Sequence, residues 1–206
     1  MAAEVLRPEA LDARERYQLL TSLVVPRPIG WISTWDDSGR ANLAPFSFYT
    51  ALASSPMLVG VSVGHRGDQP KDSLRNARAS RAFCVNVVTE EQLVAMHRTA
   101  GEFGPEVDEF ERADLKVAPA DAVSAPFVAD CPAVLECSVH REVELGEAAA
   151  TLLVGRVEAV RLDPRLRTVP GTRYVDAESL RPVGRLHGRA YGLLGEVVFV
   201  DRADEE

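Results

Sequence analysis

The run AVLECSVHREVEL (Ala133–Leu145), broken by Gly146-Glu147-Ala148 and resumed as TLLVGRVEAVRL (Thr151–Leu162), decides the fold. Both stretches are long, rich in Val and Leu, and interspersed with polar residues. A short glycine-led break between two such stretches predicts a long antiparallel hairpin.

Toward the N-terminus, Ala82–Val88 is a strand rich in Val and Phe, and Met57–Val63 is another. The apolar run Ile29–Trp35, the turn cluster Asp36-Asp37-Ser38-Gly39 and the extended run Ala41–Thr50 spell a second hairpin. Gln69-Pro70 opens a helix carrying Leu74, Ala77 and Ala79. Glu90–Ala100 is a helix with Leu93, Val94, Met96 and His97 on one broad face, and Ala10–Val24 is an amphipathic entry helix whose role is packing. Gly101–Ala129 reads as irregular, and Leu193–Val200 reads as a closing strand. Hairpin-joined strands with no repeating strand-helix-strand unit predict a mainly β fold, an antiparallel barrel with peripheral helices. A single domain over residues 1–206 is expected, with 1–25 as a helical extension and 163–190 as an irregular C-terminal arm.

Charge and composition exclude several functions. With 31 acidic against 23 basic residues the net charge is −8, which is unsuited to gripping a polyanion such as nucleic acid. Cys84, Cys131 and Cys137 include no C-x-x-C pair, and the first residues lack a signal-peptide layout, so a cytoplasmic protein with reduced thiols is expected. No apolar run approaches the roughly 20 residues that cross a bilayer. The four histidines show no metal-ligand spacing, and Gly184, Gly188, Gly192 and Gly195 do not form a dinucleotide fingerprint.

Two motifs carry possible chemistry. Arg66, Lys71, Arg75, Arg78 and Arg81 form a basic stretch in an acidic chain, and Lys71, Asp72 and Ser73 fall in the first turn of the predicted helix. Free N–H groups and the positive dipole end favour a phosphate there. The alternative is that Asp68 or Asp72 caps the helix and the basic residues are its solvated face. Gly60-Val61-Ser62-Val63-Gly64 matches a nucleophile elbow, which would make Ser62 the centre of a serine esterase. The distance to the following helix and the lack of a triad partner favour instead a strand residue facing a groove.

The ordered series Arg27-Pro28-Ile29-Gly30-Trp31-Ile32-Ser33-Thr34, Asn42-Leu43-Ala44-Pro45-Phe46-Ser47-Phe48 and Lys71-Asp72-Ser73-Leu74-Arg75-Asn76 resembles the flavin reductase-like family, flavoredoxin-type proteins included. The likeness continues through Phe83–Val87, Asp108–Glu111 and Leu135–Cys137 to Arg185–Tyr191. It implies an FMN-binding split β-barrel of antiparallel, Greek-key-like strands, assembled as a homodimer with FMN near the subunit interface. It further implies that Lys71, Asp72 and Ser73 hold the FMN phosphate beside Ser62, Val63 and Gly64. Asn42, Ala44, Pro45 and Ser47 would contact the flavin, Trp31 and Ser33 would bound its rings, and Tyr191 would approach the ring or the partner subunit. The sequence departs from the family at His187, where a second glycine is frequent, and at Ser73, where threonine is frequent.

The resemblance implies an NAD(P)H:flavin reductase passing hydride from nicotinamide to flavin N5, with FMN or FAD as the flavin and possible supply of a monooxygenase. No catalytic acid–base residue is then required, because the cofactor carries the chemistry. The rival readings are a flavoredoxin-like electron carrier with tightly held FMN and a protein redox partner, a non-enzymatic flavin store, and the Ser62 esterase.

Overall fold

The computed structural model describes residues 3–67, 69–104, 106–146 and 150–200. Its strands are β1 (Gly30–Trp35), β2 (Ala41–Phe46), β3 (Tyr49–Ser54), β4 (Met57–Arg66), β5 (Ala82–Val87), β6 (Ala133–Leu145) and β7 (Ala150–Leu162). They form one sheet in the order β2-β1-β5-β6-β7-β4-β3, and the two-residue strand Gln69–Pro70 folds back on the end of β4. All these pairings are antiparallel. The two strands at the ends of that order, β2 and β3, are consecutive in the chain and separated by Ser47 and Phe48 alone. A sheet whose outermost strands are joined by two residues must curl until its edges approach. Because no ladder joins β2 to β3, the result is a split β-barrel.

The hairpin read from Ala133–Leu162 is present, pairing Ala133 with Leu162 at one end and Leu145 with Ala150 at the other. Glu147 and Ala148 of its turn lie outside the described residues. Close packing inside the barrel depends on Gly155 in β7, where a Cβ would stand 2.3 Å from Cζ of Phe83. Any side chain there would collide with a fully buried ring.

Side-chain alternation divides the core in two. Ile32 of β1 points into the barrel with Val61, Phe83 and Leu153, whereas its neighbour Trp31 points outward into a second cluster with Met96, Phe110 and Val128. The second cluster lies beneath α3 (Leu93–Arg98), α4 (Glu109–Arg112) and a hairpin of Val117–Pro119 with Pro126–Val128. Strand β1 is therefore covered on both faces. Helix α2 (Asp72–Ser80) adds Leu74 and Ala77 to the barrel interior, which fixes its N-terminus beside β2.

Several sequence expectations are corrected. The predicted helix Glu90–Ala100 begins as a 3-10 turn, Glu90–Gln92, and His97 is exposed rather than packed. Gly101–Ala129 is not wholly irregular, since it contains α4 and the small hairpin. The expected closing strand Leu193–Val200 does not form: pairing ends at Tyr191–Gly192, which adds to Gly184–Arg185 and so to Arg27–Pro28. Beyond it Val198, Phe199 and Val200 are exposed, without a described strand to receive them.

Helix α1 (Ala13–Leu23) forms where expected, nucleated by a capping box in which Asp12 accepts from the Glu15 N–H and the Glu15 side chain accepts from the Asp12 N–H. Its packing role is not met, because Thr21 is its one buried residue and Tyr17, Leu20 and Leu23 face outward. No helix among the described residues is long and apolar enough to cross a membrane.

Candidate functional site

The basic stretch resolves into two groups. Arg75 pairs with Asp72 at 2.5 Å, Arg78 pairs with Glu142 at 2.7 Å, and Arg81 donates to the Val139 carbonyl at 2.8 Å. Those three cations are engaged in holding α2 to itself and to the barrel. Lys71 and Arg66 instead line a pocket of about 130 Å³, together with Asn42, Ala44, Pro45, Asp72, Ser73 and the segment Thr99–Phe103. Arg66 donates to the Phe103 carbonyl at 3.0 Å, while the Lys71 ammonium has no partner among the described residues.

Lys71 is the N-cap residue of α2, extended at φ −62° and ψ 156°, and no side chain caps the helix. Asp72, the expected capping candidate, turns to Arg75 instead; Asp68, the other, lies outside the described residues. The Leu74 and Arg75 N–H groups both donate to the Lys71 carbonyl, which leaves the Asp72 and Ser73 N–H groups, on residues that line the pocket, without a capping side chain; this is the condition under which a helix end attracts an anion.

Beneath the pocket lies a polar network that sequence reasoning did not assign. Glu109, 6% exposed, accepts from Asn42 Nδ2 at 3.1 Å to each oxygen and from the Leu43 N–H at 3.1 Å. With its amide nitrogen so held, Asn42 presents Oδ1 to α2 and accepts the Ser73 hydroxyl at 2.9 Å. Burial, opposed by these hydrogen bonds and reinforced by Asp72, raises the Glu109 pKa above the ordinary glutamate range. The sequence Asp108-Glu109-Phe110 produces this placement locally. Asp108 caps α4 by accepting from the Phe110 and Glu111 N–H groups, Phe110 enters the core, and Glu109 is turned toward β2.

Of the expected site residues, Asn42, Ala44, Pro45, Lys71, Asp72 and Ser73 are brought together in this pocket. Ser47 stands at the β2–β3 corner, where it accepts from Arg27 Nε at 3.4 Å. Ser62 and Gly64 are partly exposed on β4, and Val63 between them is fully buried, paired with Thr151 of β7. Ser62 sits within a continuous strand, its N–H donating to the Phe48 carbonyl, so the strand-to-helix turn of a nucleophile elbow is missing.

Trp31 and Ser33 are a correction. Both are fully buried, so neither side chain has surface from which to touch a ring system. Trp31 acts from behind: its indole N–H donates to Thr99 Oγ1 at 2.9 Å, and Thr99 lines the pocket. Ser33 donates to the Pro126 carbonyl and accepts from Asn86, a purely internal arrangement. Tyr191 lies apart from the pocket, its hydroxyl bonded to Arg185 and 3.0 Å from His97 Nδ1. His187 borders a groove against α1 rather than the pocket. The thiols are not poised for chemistry, since burial pushes Cys131 to about 11 and Cys137 to about 12.

The split-barrel fold agrees with what known proteins show. Residues 22–176 match the model of the flavin reductase like domain, and the chain belongs to that family. An uncharacterised protein of Halalkalibacterium halodurans is 40% identical over 202 residues, covering 96% of this chain and 95% of its own. The crystal structure of nitrilotriacetate monooxygenase component B from Bacillus cereus superposes with a TM-score of 0.92 at 31% identity, covering 97% of this chain and all of that one. The 2-nitrobenzoate 2-nitroreductase of Pseudomonas fluorescens shares the fold, with a TM-score of 0.89 at 24% identity over 98% of each chain.

Proposed function

We propose that this chain binds FMN and works as an NAD(P)H-dependent flavin reductase, in a homodimer whose electrons pass to a monooxygenase or another redox protein. The observation that carries this reading is the open N-terminus of α2, with the unpartnered Lys71 ammonium beside it and the Glu109–Asn42–Ser73 network holding it in place. FMN ends in a single phosphate, which suits one ammonium and one set of first-turn N–H groups. FAD, in which that phosphate is one half of a pyrophosphate carrying adenosine, is the alternative ligand.

In this reading Lys71 and the α2 amino end bind the phosphate, and the Ser73 hydroxyl, which donates its one proton to Asn42 Oδ1 here, would turn that proton to the phosphate on binding. Ala44, Pro45 and Ser47 direct the remainder of the molecule along β2 toward the β2–β3 corner. When bound, FMN supplies the two-electron chemistry, taking hydride at N5 from a nicotinamide. Lys71, Asp72, Ser73 and Glu109 are given binding and positioning roles in this reading and no proton transfer, because the cofactor reacts while the protein positions it.

Likeness at 31% identity to a monooxygenase component B supports a separate oxygenase as the consumer of electrons. The homodimer is supported by Tyr17, Leu20 and Leu23, at helical spacing along α1, and by Val24 at its C-cap, all 53 to 77% exposed. The test is the absorbance spectrum of protein reconstituted with FMN and desalted, followed anaerobically as NADH and then NADPH are added. Retained flavin bands that bleach within seconds support the reductase and name its donor. Retained bands that persist favour an electron carrier, and loss of all flavin from concentrated protein overturns the cofactor assignment.

A further inference from the structure

Arg27 is the least exposed arginine of the described chain, at 6%, and its surroundings are unusual for a charge. Nη1 donates to the carbonyls of Thr21 at 2.6 Å and Val24 at 2.7 Å, at the carboxyl end of α1, and Nη2 donates to the Leu186 carbonyl at 2.7 Å. Nε points to Ser47 Oγ at 3.4 Å, and the guanidinium lies 6.0 Å from the Phe48 ring. Every partner is neutral. No carboxylate among the described residues comes within ion-pair distance. The negative end of the α1 dipole offsets roughly half a unit of charge at most.

A second cation adds to the first. Arg185 is the cross-strand partner of Arg27 in the short pairing of Arg27–Pro28 with Gly184–Arg185. Like charges directly opposite one another on antiparallel strands are unfavourable. Arg185 has no carboxylate either; it rests on the Tyr191 ring and bonds to the Tyr191 hydroxyl and the Gly188 carbonyl. In a chain of net charge −8, two opposed arginines free of carboxylates mark a place where negative charge arrives from outside the chain. That place adjoins Ser47, at the end of the segment along which the cofactor is proposed to lie.

We infer that Arg27, with Arg185 beside it, is the electrostatic positioning element that makes this protein hold the reduced cofactor more tightly than the oxidised one. The inference rests on the FMN reading. Two-electron reduction adds negative charge to the pyrimidine side of the flavin ring. Placed with its pyrimidine side at Ser47, the ring would meet the guanidinium behind that residue, whose charge favours the reduced state over the neutral oxidised one. The same three carbonyl bonds also tie α1 and the C-terminal arm to the barrel corner, so Arg27 has a structural share that must be separated from the electrostatic one.

The experiment compares dissociation constants of oxidised and reduced FMN, measured anaerobically for wild type, Arg27→Lys and Arg27→Met, with the unfolding temperature of each apoprotein recorded alongside. Wild type is expected to bind reduced FMN roughly tenfold or more tightly than oxidised FMN, the scale of a single poorly screened charge. Arg27→Lys keeps the charge but cannot fork to three carbonyls. It should unfold at a lower temperature and retain the preference. Arg27→Met should lose most of the preference. Equal wild-type affinity for the two states overturns the inference, and so does an undiminished preference in a folded Arg27→Met protein. Should Arg27→Met fail to fold, the wild-type ratio and the lysine variant still decide. Absence of binding in either state removes the FMN reading itself.

Discussion

Helices α1 and α2 are incomplete in opposite ways. The amino end of α1 is closed by the Asp12–Glu15 capping box, yet its apolar residues Tyr17, Leu20 and Leu23 face water. The amino end of α2 has no side-chain cap, yet its apolar residues Leu74 and Ala77 are fully buried. A helix normally satisfies both needs, its end groups by capping and its face by packing. What each one lacks therefore indicates what completes it: an apolar surface for α1 and an anion for α2.

The comparison can be broken from either side. The largest effect is expected from Leu20→Glu combined with Leu23→Glu, which places charge on the exposed face of α1 without touching the α2 pocket. We expect a dimer to become a monomer by light scattering, and an unchanged mass would remove α1 from the interface. Next in size, Lys71→Ala with Ser73→Ala should weaken FMN binding roughly a hundredfold while the barrel stays folded, since charge-assisted contacts contribute about 1.5–3 kcal/mol each. Unaltered affinity in a folded double variant would show that the phosphate sits elsewhere. The smallest effect sharpens the contrast: Lys71→Asp gives α2 the kind of cap that α1 already has. It should stabilise the apoprotein by about 1 kcal/mol while weakening FMN binding, because the carboxylate takes the N–H groups and repels the phosphate. A thermal melt and a flavin titration of this one variant report both halves.

The hairpin of β6 and β7 was readable because long stretches of interspersed Val, Leu and charged residues flank a glycine-led break, and the start of α2 was readable because Lys71-Asp72-Ser73 follow Pro70. Trp31 misled for a physical reason. Strand β1 is buried on both faces, so its continuous apolar run says nothing about which face meets a ligand. Glu109 lies in the family-like run Asp108–Glu111, where the sequence by itself assigns it no role. Its partner Asn42 lies 67 residues away, and no local pattern reveals that a carboxylate will be buried against an amide. The failure of Leu193–Val200 to form a strand is of a third kind. Its composition suits a strand, but forming one requires a neighbour that the chain does not provide among its described residues.

The gap between β2 and β3 has a consequence for how this molecule relates to its surroundings. An open sheet edge invites another strand, and β2 refuses one: Pro45 has no N–H to offer, and the Leu43 N–H is already taken by Glu109. Polypeptide is thus turned away from the opening while the pocket beside it still admits a small molecule. Under the proposed reading the cofactor would be the clasp of an unclosed ring, so that losing it should loosen the β2–β3 corner before any other part of the barrel.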